Sequence, residues 1–157
     1  MELLQTLSDW QVAGLLRRSA ILYPLVNAAH ILGIALLFGA IATLDLRLLG
    51  AFRGHALGQL GPPLQRVAAA GLAVAAVTGA LLFTTRPLAY AENPAFLLKL
   101  GLVALGVVNA ALLHRGGLWR RALAAGEAPA ALKAAALLSL LAWIAAVLAG
   151  RWIGFLQ

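Results

Sequence analysis

His30 is the one histidine set well inside a long apolar run, Tyr23-Pro24-Leu25-Val26-Asn27-Ala28-Ala29-His30-Ile31-Leu32-Gly33. An ionisable side chain in hydrocarbon is costly and normally serves a purpose. A neutral imidazole is also a good axial ligand for haem iron. Tyr23, Asn27, His30 and Gly33 recur at helical spacing and fall on one face. On that face, Gly33 is expected to leave room for a flat macrocycle one turn from His30. Lys99, Arg86 and Arg151 fall near the same end of their segments, a ring of cations suited to carboxylates such as haem propionates.

The remaining ionisable groups are weaker candidates. His114 closes a later apolar run beside Arg115 and is a second candidate for iron, about 13 Å deeper than His30 by residue counting. The two cannot clamp one iron, and the only methionine is Met1. An iron on His30 is therefore five-coordinate, ligated by an unusual sixth group such as Lys99, or shared with another protein. His55, in Arg53-Gly54-His55, reads as a surface residue. Asp45 reads as a lock paired across helices with Arg66 or Arg115, with a proton-path role as the alternative. The chain has no Gly-rich phosphate loop, no Ser/His/Asp set and no pair of carboxylates positioned for catalysis.

Positioning such residues requires spans. The 157 residues are 63% hydrophobic and 11% charged, against about 25% charged in a soluble domain. The composition therefore points to a single membrane domain. With no cysteine, disulfides, thiolate metal sites and iron–sulfur clusters are excluded. The net charge of +7 flanks apolar runs, so it reads as anchoring in anionic lipid rather than as a nucleic-acid surface. Four segments, about 20–46, 64–85, 95–113 and 132–155, are long enough to cross ~30 Å of hydrocarbon as helices. Pro62-Pro63, Pro87, Pro94, Gly116-Gly117 and Pro129 punctuate them. Before the first, Ser8-Asp9-Trp10-Gln11 has the form of a capping box opening an amphipathic surface helix over 8–18; an extended start to the first span is the alternative. The fold expected is all-α, an integral membrane four-helix bundle with a short N-terminal interfacial helix.

Small and polar residues recur along each span: Gly71, Thr78 and Thr85 in the second, Lys99, Gly106 and Asn109 in the third, Ser139, Trp143, Ala146 and Gly150 in the fourth. Such stripes mark helix contacts, because small residues let backbones approach. Seven Lys and Arg on one side against five on the other favour loops one and three in the cytoplasm, with both termini periplasmic.

The first span resembles the opening helix of small bacterial membrane proteins of the HemJ and CopD type, in which a His is followed three residues later by Gly, here His30-Ile31-Leu32-Gly33. The wider pattern looks closer still to an uncharacterised family of four-helix bacterial membrane proteins. It matches in Leu22-Tyr23-Pro24, in Asp45-Leu46-Arg47-Leu48-Leu49-Gly50, in Lys99 with Asn109 and His114, and in Gly150-Arg151-Trp152-Ile153-Gly154. The HemJ resemblance implies haem b, the CopD resemblance copper handling, and both imply a multi-pass protein of the bacterial inner membrane. The leading expectation is a haem-b-binding membrane protein with a redox or electron-transfer role and His30 as axial ligand, with a quinone as an accompanying cofactor and a redox protein or a second copy as partner. One alternative is a non-enzymatic subunit anchoring a redox complex, where His30 bonds across helices to Asn109 or Ser139. The other is a membrane protein handling copper or another metal.

Overall fold

The computed structural model describes residues 2–156. Among them there are eight α-helices and no strand. Four are long and apolar enough to cross a membrane: α3 (Leu22–Leu49), α4 (Leu57–Thr85), α6 (Pro94–Arg115) and α8 (Ala130–Trp152), the last prolonged by a 3-10 turn (Ile153–Phe155). Their outer faces carry exposed Leu, Ile and Val along most of their length, as helices immersed in lipid should.

The long helices pack as a row. The closest seam is α3 against α4, followed by α6 against α8, and α3 against α8 joins the two pairs. The side between α4 and α6 is bridged mainly at its ends. At one end lie α5 (Pro87–Glu92) and the ring cluster Phe83, Tyr90 and Phe96, with Phe83 stacked on Phe96 at 5.5 Å. At the other end lies α7 (Gly117–Ala125), which packs on both helices.

The helix ends follow local chemistry. Ser19 Oγ accepts hydrogen bonds from the amides of Ile21 and Leu22 as α3 begins. α3 stops at Gly50, whose φ of +110° is a left-handed conformation that suits a residue without Cβ. The buried Asn93 caps α6, its Oδ1 accepting from the amides of Ala95 and Phe96 and its Nδ2 donating to the Ile153 carbonyl. α4 starts seven residues before the expected span and runs through Pro62 and Pro63.

The N-terminal region departs from expectation. Two short helices replace one, α1 (Glu2–Asp9) and α2 (Gln11–Arg18), and the chain turns at Trp10. Ser8 lies within α1, so it cannot act as the N-cap of a capping box, and Trp10 precedes α2 with no side-chain cap bond. Ala13 and Leu16 of α2 are buried against the bundle, while Trp10 and Leu15 are exposed. Arg17 ties this layer down, donating to the Ser8 and Thr85 carbonyls. The Thr85 carbonyl is at the C-terminal, negative end of the α4 dipole, which favours a cation there.

The largest buried apolar cluster is at the opposite end, where Leu44, Leu48, Leu57, Trp119, Ala122, Leu132 and Ala136 meet. α7 therefore contributes core residues, although no element is expected over 117–125 from the pattern of spans. Its signal was present in Trp119, Ala122 and Leu123 at helical spacing, with Arg120 and Arg121 left exposed.

Candidate functional site

His30 faces α4. Its ring lies against Gly79, where an added Cβ would stand 2.9 Å from Cε1. Its Nδ1 is 3.0 Å from Thr78 Oγ1, and the Ala75 carbonyl is a further acceptor beside the ring. The direction of the bond to Thr78 follows from proton counting. Thr78 Oγ1 is 2.6 Å from the Val74 carbonyl, which can only accept, so the hydroxyl proton is committed there. Towards His30 the hydroxyl can only accept. Nδ1 therefore carries the imidazole proton, and in the neutral ring the free lone pair is on Nε2. Metal-ligating histidines are commonly held in this way, one ring N–H anchored and the other nitrogen presented to the metal.

Three expectations about this site need correcting. The space at Gly33 is occupied by α4: a Cβ on Gly33 would lie 2.8 Å from Ala75 N, and one on Gly71 would lie 2.5 Å from Leu37 N. A macrocycle cannot lie against Gly33, because two glycines have let the backbones close on each other there. Asn27 and Tyr23, one and two turns before His30, are exposed and do not line an interior face with it. The partner of His30 is Thr78 rather than Asn109 or Ser139. Asn109 instead donates to the Ala135 carbonyl, joining α6 to α8.

Lys99 is the cation that reaches the His30 region. It is half-buried, its stem lies along Gly150 of α8 with Cδ 3.5 Å from where a side chain there would begin, and it interacts electrostatically with the His30 ring. Gly150 thus makes room for Lys99, which gives two of the residues singled out in the sequence a common structural purpose. Arg86 ends α4 and is exposed; Arg151 is exposed with its guanidinium 5.0 Å from the Phe155 ring. Of the expected cation ring, Lys99 lies within electrostatic range of His30, and the two arginines lie at the surface.

A second polar locus sits at the other end of α3. Asp45 is buried, at 5% exposure, and its Oδ2 has no hydrogen-bond partner. Arg66 and Arg115, expected as its counter-charges, are exposed; the hydrogen-bonding neighbour of Asp45 is Ser139 of α8. The cross-helix lock is therefore a carboxyl–hydroxyl contact and not an ion pair. Arg47, two residues on and turned the other way, donates to the His55 and Gly126 carbonyls and closes the loop end. His114 is exposed, its ring 5.0 Å from that of Trp119 and its Nδ1 bonded to the Ala110 carbonyl of its own helix. Among the described residues no three His, Asp or Glu side chains converge on a common metal position.

No protein-family model matches the chain, and neither does any curated protein or solved structure. The four apolar helices define a multi-pass membrane protein of all-α class.

Proposed function

We propose that this is a haem-b-binding protein of the bacterial inner membrane with a redox or electron-transfer role, in which His30 ligates the iron through Nε2. The observation that carries the reading is the hydrogen-bond relay from His30 Nδ1 through Thr78 to the Val74 carbonyl, which leaves Nε2 as the free nitrogen. Lys99, half-buried and within electrostatic range of His30, suits a propionate. A bound haem would supply one-electron chemistry at iron. The chain's own part is to orient the imidazole, fix its tautomer and offer a cation. With Gly33 closed by α4, access to Nε2 must come from the side away from that seam. Of the three arrangements the sequence leaves open, a five-coordinate iron would leave a position for a substrate or a quinone. The charge bias of the loops supports termini on the periplasmic side.

The test is an optical spectrum of detergent-purified protein from haem-replete cells, oxidised and dithionite-reduced, for the parent chain, His30→Ala and Thr78→Val. The reading expects a Soret band that shifts on reduction, is lost in His30→Ala, and persists with an altered reduction potential in Thr78→Val. A featureless parent spectrum sinks it.

One observation favours a second reading, a membrane subunit without a cofactor. The imidazole is seated on Gly79 in the closest seam of the molecule, as a residue that latches two helices would be. In that case His30→Ala lowers stability with no change in the visible spectrum, and a co-purifying partner carries the redox centre. Copper handling has no cluster of ligands to build on among the described residues.

A further inference from the structure

Asp45 lines a cavity of about 40 Å³ between α3, α6, α7 and α8, together with Ser139, Asn109, His114 and Trp119. A site needs roughly 10–15 Å³ of such volume and two or more polar partners to hold a water. This cavity meets both conditions. An ionised carboxylate buried in hydrocarbon without a counter-charge is prohibitively costly.

From these observations we propose that Asp45 is a proton-binding site, a neutral carboxyl whose Oδ2–H donates to water in the cavity and which exchanges its proton with the aqueous phase past His114. The site is independent of His30, which lies on the same helix about 22 Å away at 1.5 Å per residue.

The geometry fits a proton better than a metal cation. From α8 the carboxyl meets the Ser139 hydroxyl. From α6 the cavity receives Asn109, whose Nδ2 is committed to the Ala135 carbonyl, and His114; from α7 it receives Trp119. One carboxyl, one hydroxyl and one amide oxygen fall short of the six or more oxygens of a calcium site or the octahedron of magnesium. His114 is the other titratable group on the lining. Its Nδ1 is bonded to the Ala110 carbonyl, which leaves Nε2 as a proton acceptor at the exposed rim. Loss of the proton from Oδ2 breaks the carboxyl O–H bond, the cavity water takes it up, and Nε2 of His114 or bulk water receives it.

Infrared spectroscopy of the protein in lipid bilayers tests this directly. The other four acids, Glu2, Asp9, Glu92 and Glu127, are exposed, so none shares the buried setting of Asp45. A carbonyl stretch from one un-ionised carboxyl is expected at neutral pH in the parent chain. It should shift within minutes of transfer to D2O, move in frequency in Ser139→Ala, and disappear in Asp45→Asn. His114→Ala should slow the D2O shift at least several-fold. Absence of the band at neutral pH in the parent chain overturns the proposal. So does a band bleached by sodium but not by choline at constant pH, which would make the site one for a metal cation. A band unmoved after a day in D2O also overturns it, since the carboxyl would then be sealed. Measurements on the parent chain and Ser139→Ala decide the matter even if Asp45→Asn does not fold.

Discussion

α3 meets its two neighbours by different means. Against α4 the contact is backbone on backbone, with Gly33 and Gly71 removing the side chains that would hold the helices apart. His30 and Thr78 then form a polar link beyond the closest point. Against α8 the contact is made by side chains: Leu44 and Leu48 join the apolar cluster with Leu132 and Ala136, and Asp45 reaches Ser139 within it. The α6–α8 seam continues this second style, because the Trp143 indole fills the space over Gly106. In lipid, where apolar surface gains nothing by leaving the solvent, close backbone approach is the main source of helix attraction. The first seam relies on it. The second trades closeness for cavities and polar groups, and that trade is where a buried carboxyl becomes tolerable.

The contrast can be broken most severely at Gly71. Gly71→Leu should separate α3 from α4 and cost about 3 kcal/mol or more, since overpacking a tight contact typically costs 1–3 kcal/mol; loss of folded monomer in a detergent-unfolding titration is the readout. A side-chain seam should yield more readily. Gly106→Ala is expected to cost about 2 kcal/mol by displacing the Trp143 ring, and Trp143→Phe in the same chain should recover most of it because the clashing indole atoms are gone. Asp45→Asn should change stability by less than about 1 kcal/mol in either direction, because the group already has an unpartnered oxygen and removing its proton site leaves no stranded charge. A loss above about 3 kcal/mol would instead match a buried ion pair that had been broken. The smallest effect falls on the polar link of the first seam: Thr78→Val should cost about 0.6 kcal/mol, the average for interhelical hydrogen bonds in a membrane, read by a double-mutant cycle with His30→Ala.

The spans were legible because length and uniform apolarity survive any arrangement of the helices. The packing stripes were legible too. Gly71, Thr78, Gly106, Ser139, Trp143 and Ala146 all turn towards neighbouring helices, since small residues at helical spacing have few other uses in lipid. What the pattern lacked was the order of helices in space. The stripes alone point His30 towards residues of the third and fourth spans, but α3 packs most closely on α4, so its partner is Thr78. The short helices α1, α5 and α7 escaped for another reason. Six to nine residues hold too few turns for a periodic signal, and their stability comes from docking onto the bundle. The pairing of Lys99 with Gly150 is visible only when two helices are brought side by side.

Pro62 and Pro63 sit side by side near the start of α4. Neither can supply an amide proton, so the carbonyls of Gly58 and Gln59 lose their usual helical donors. The rod is notched at that point on two successive rungs. What steadies the turn before the notch is α7, through Leu57, which is fully buried, and Gly61, which is pressed against Leu123 and Trp119. The stub of α4 is thus fastened to the floor of the molecule while the shaft above it is clasped to α3, and the prolines are the joint at which those two attachments settle their angle.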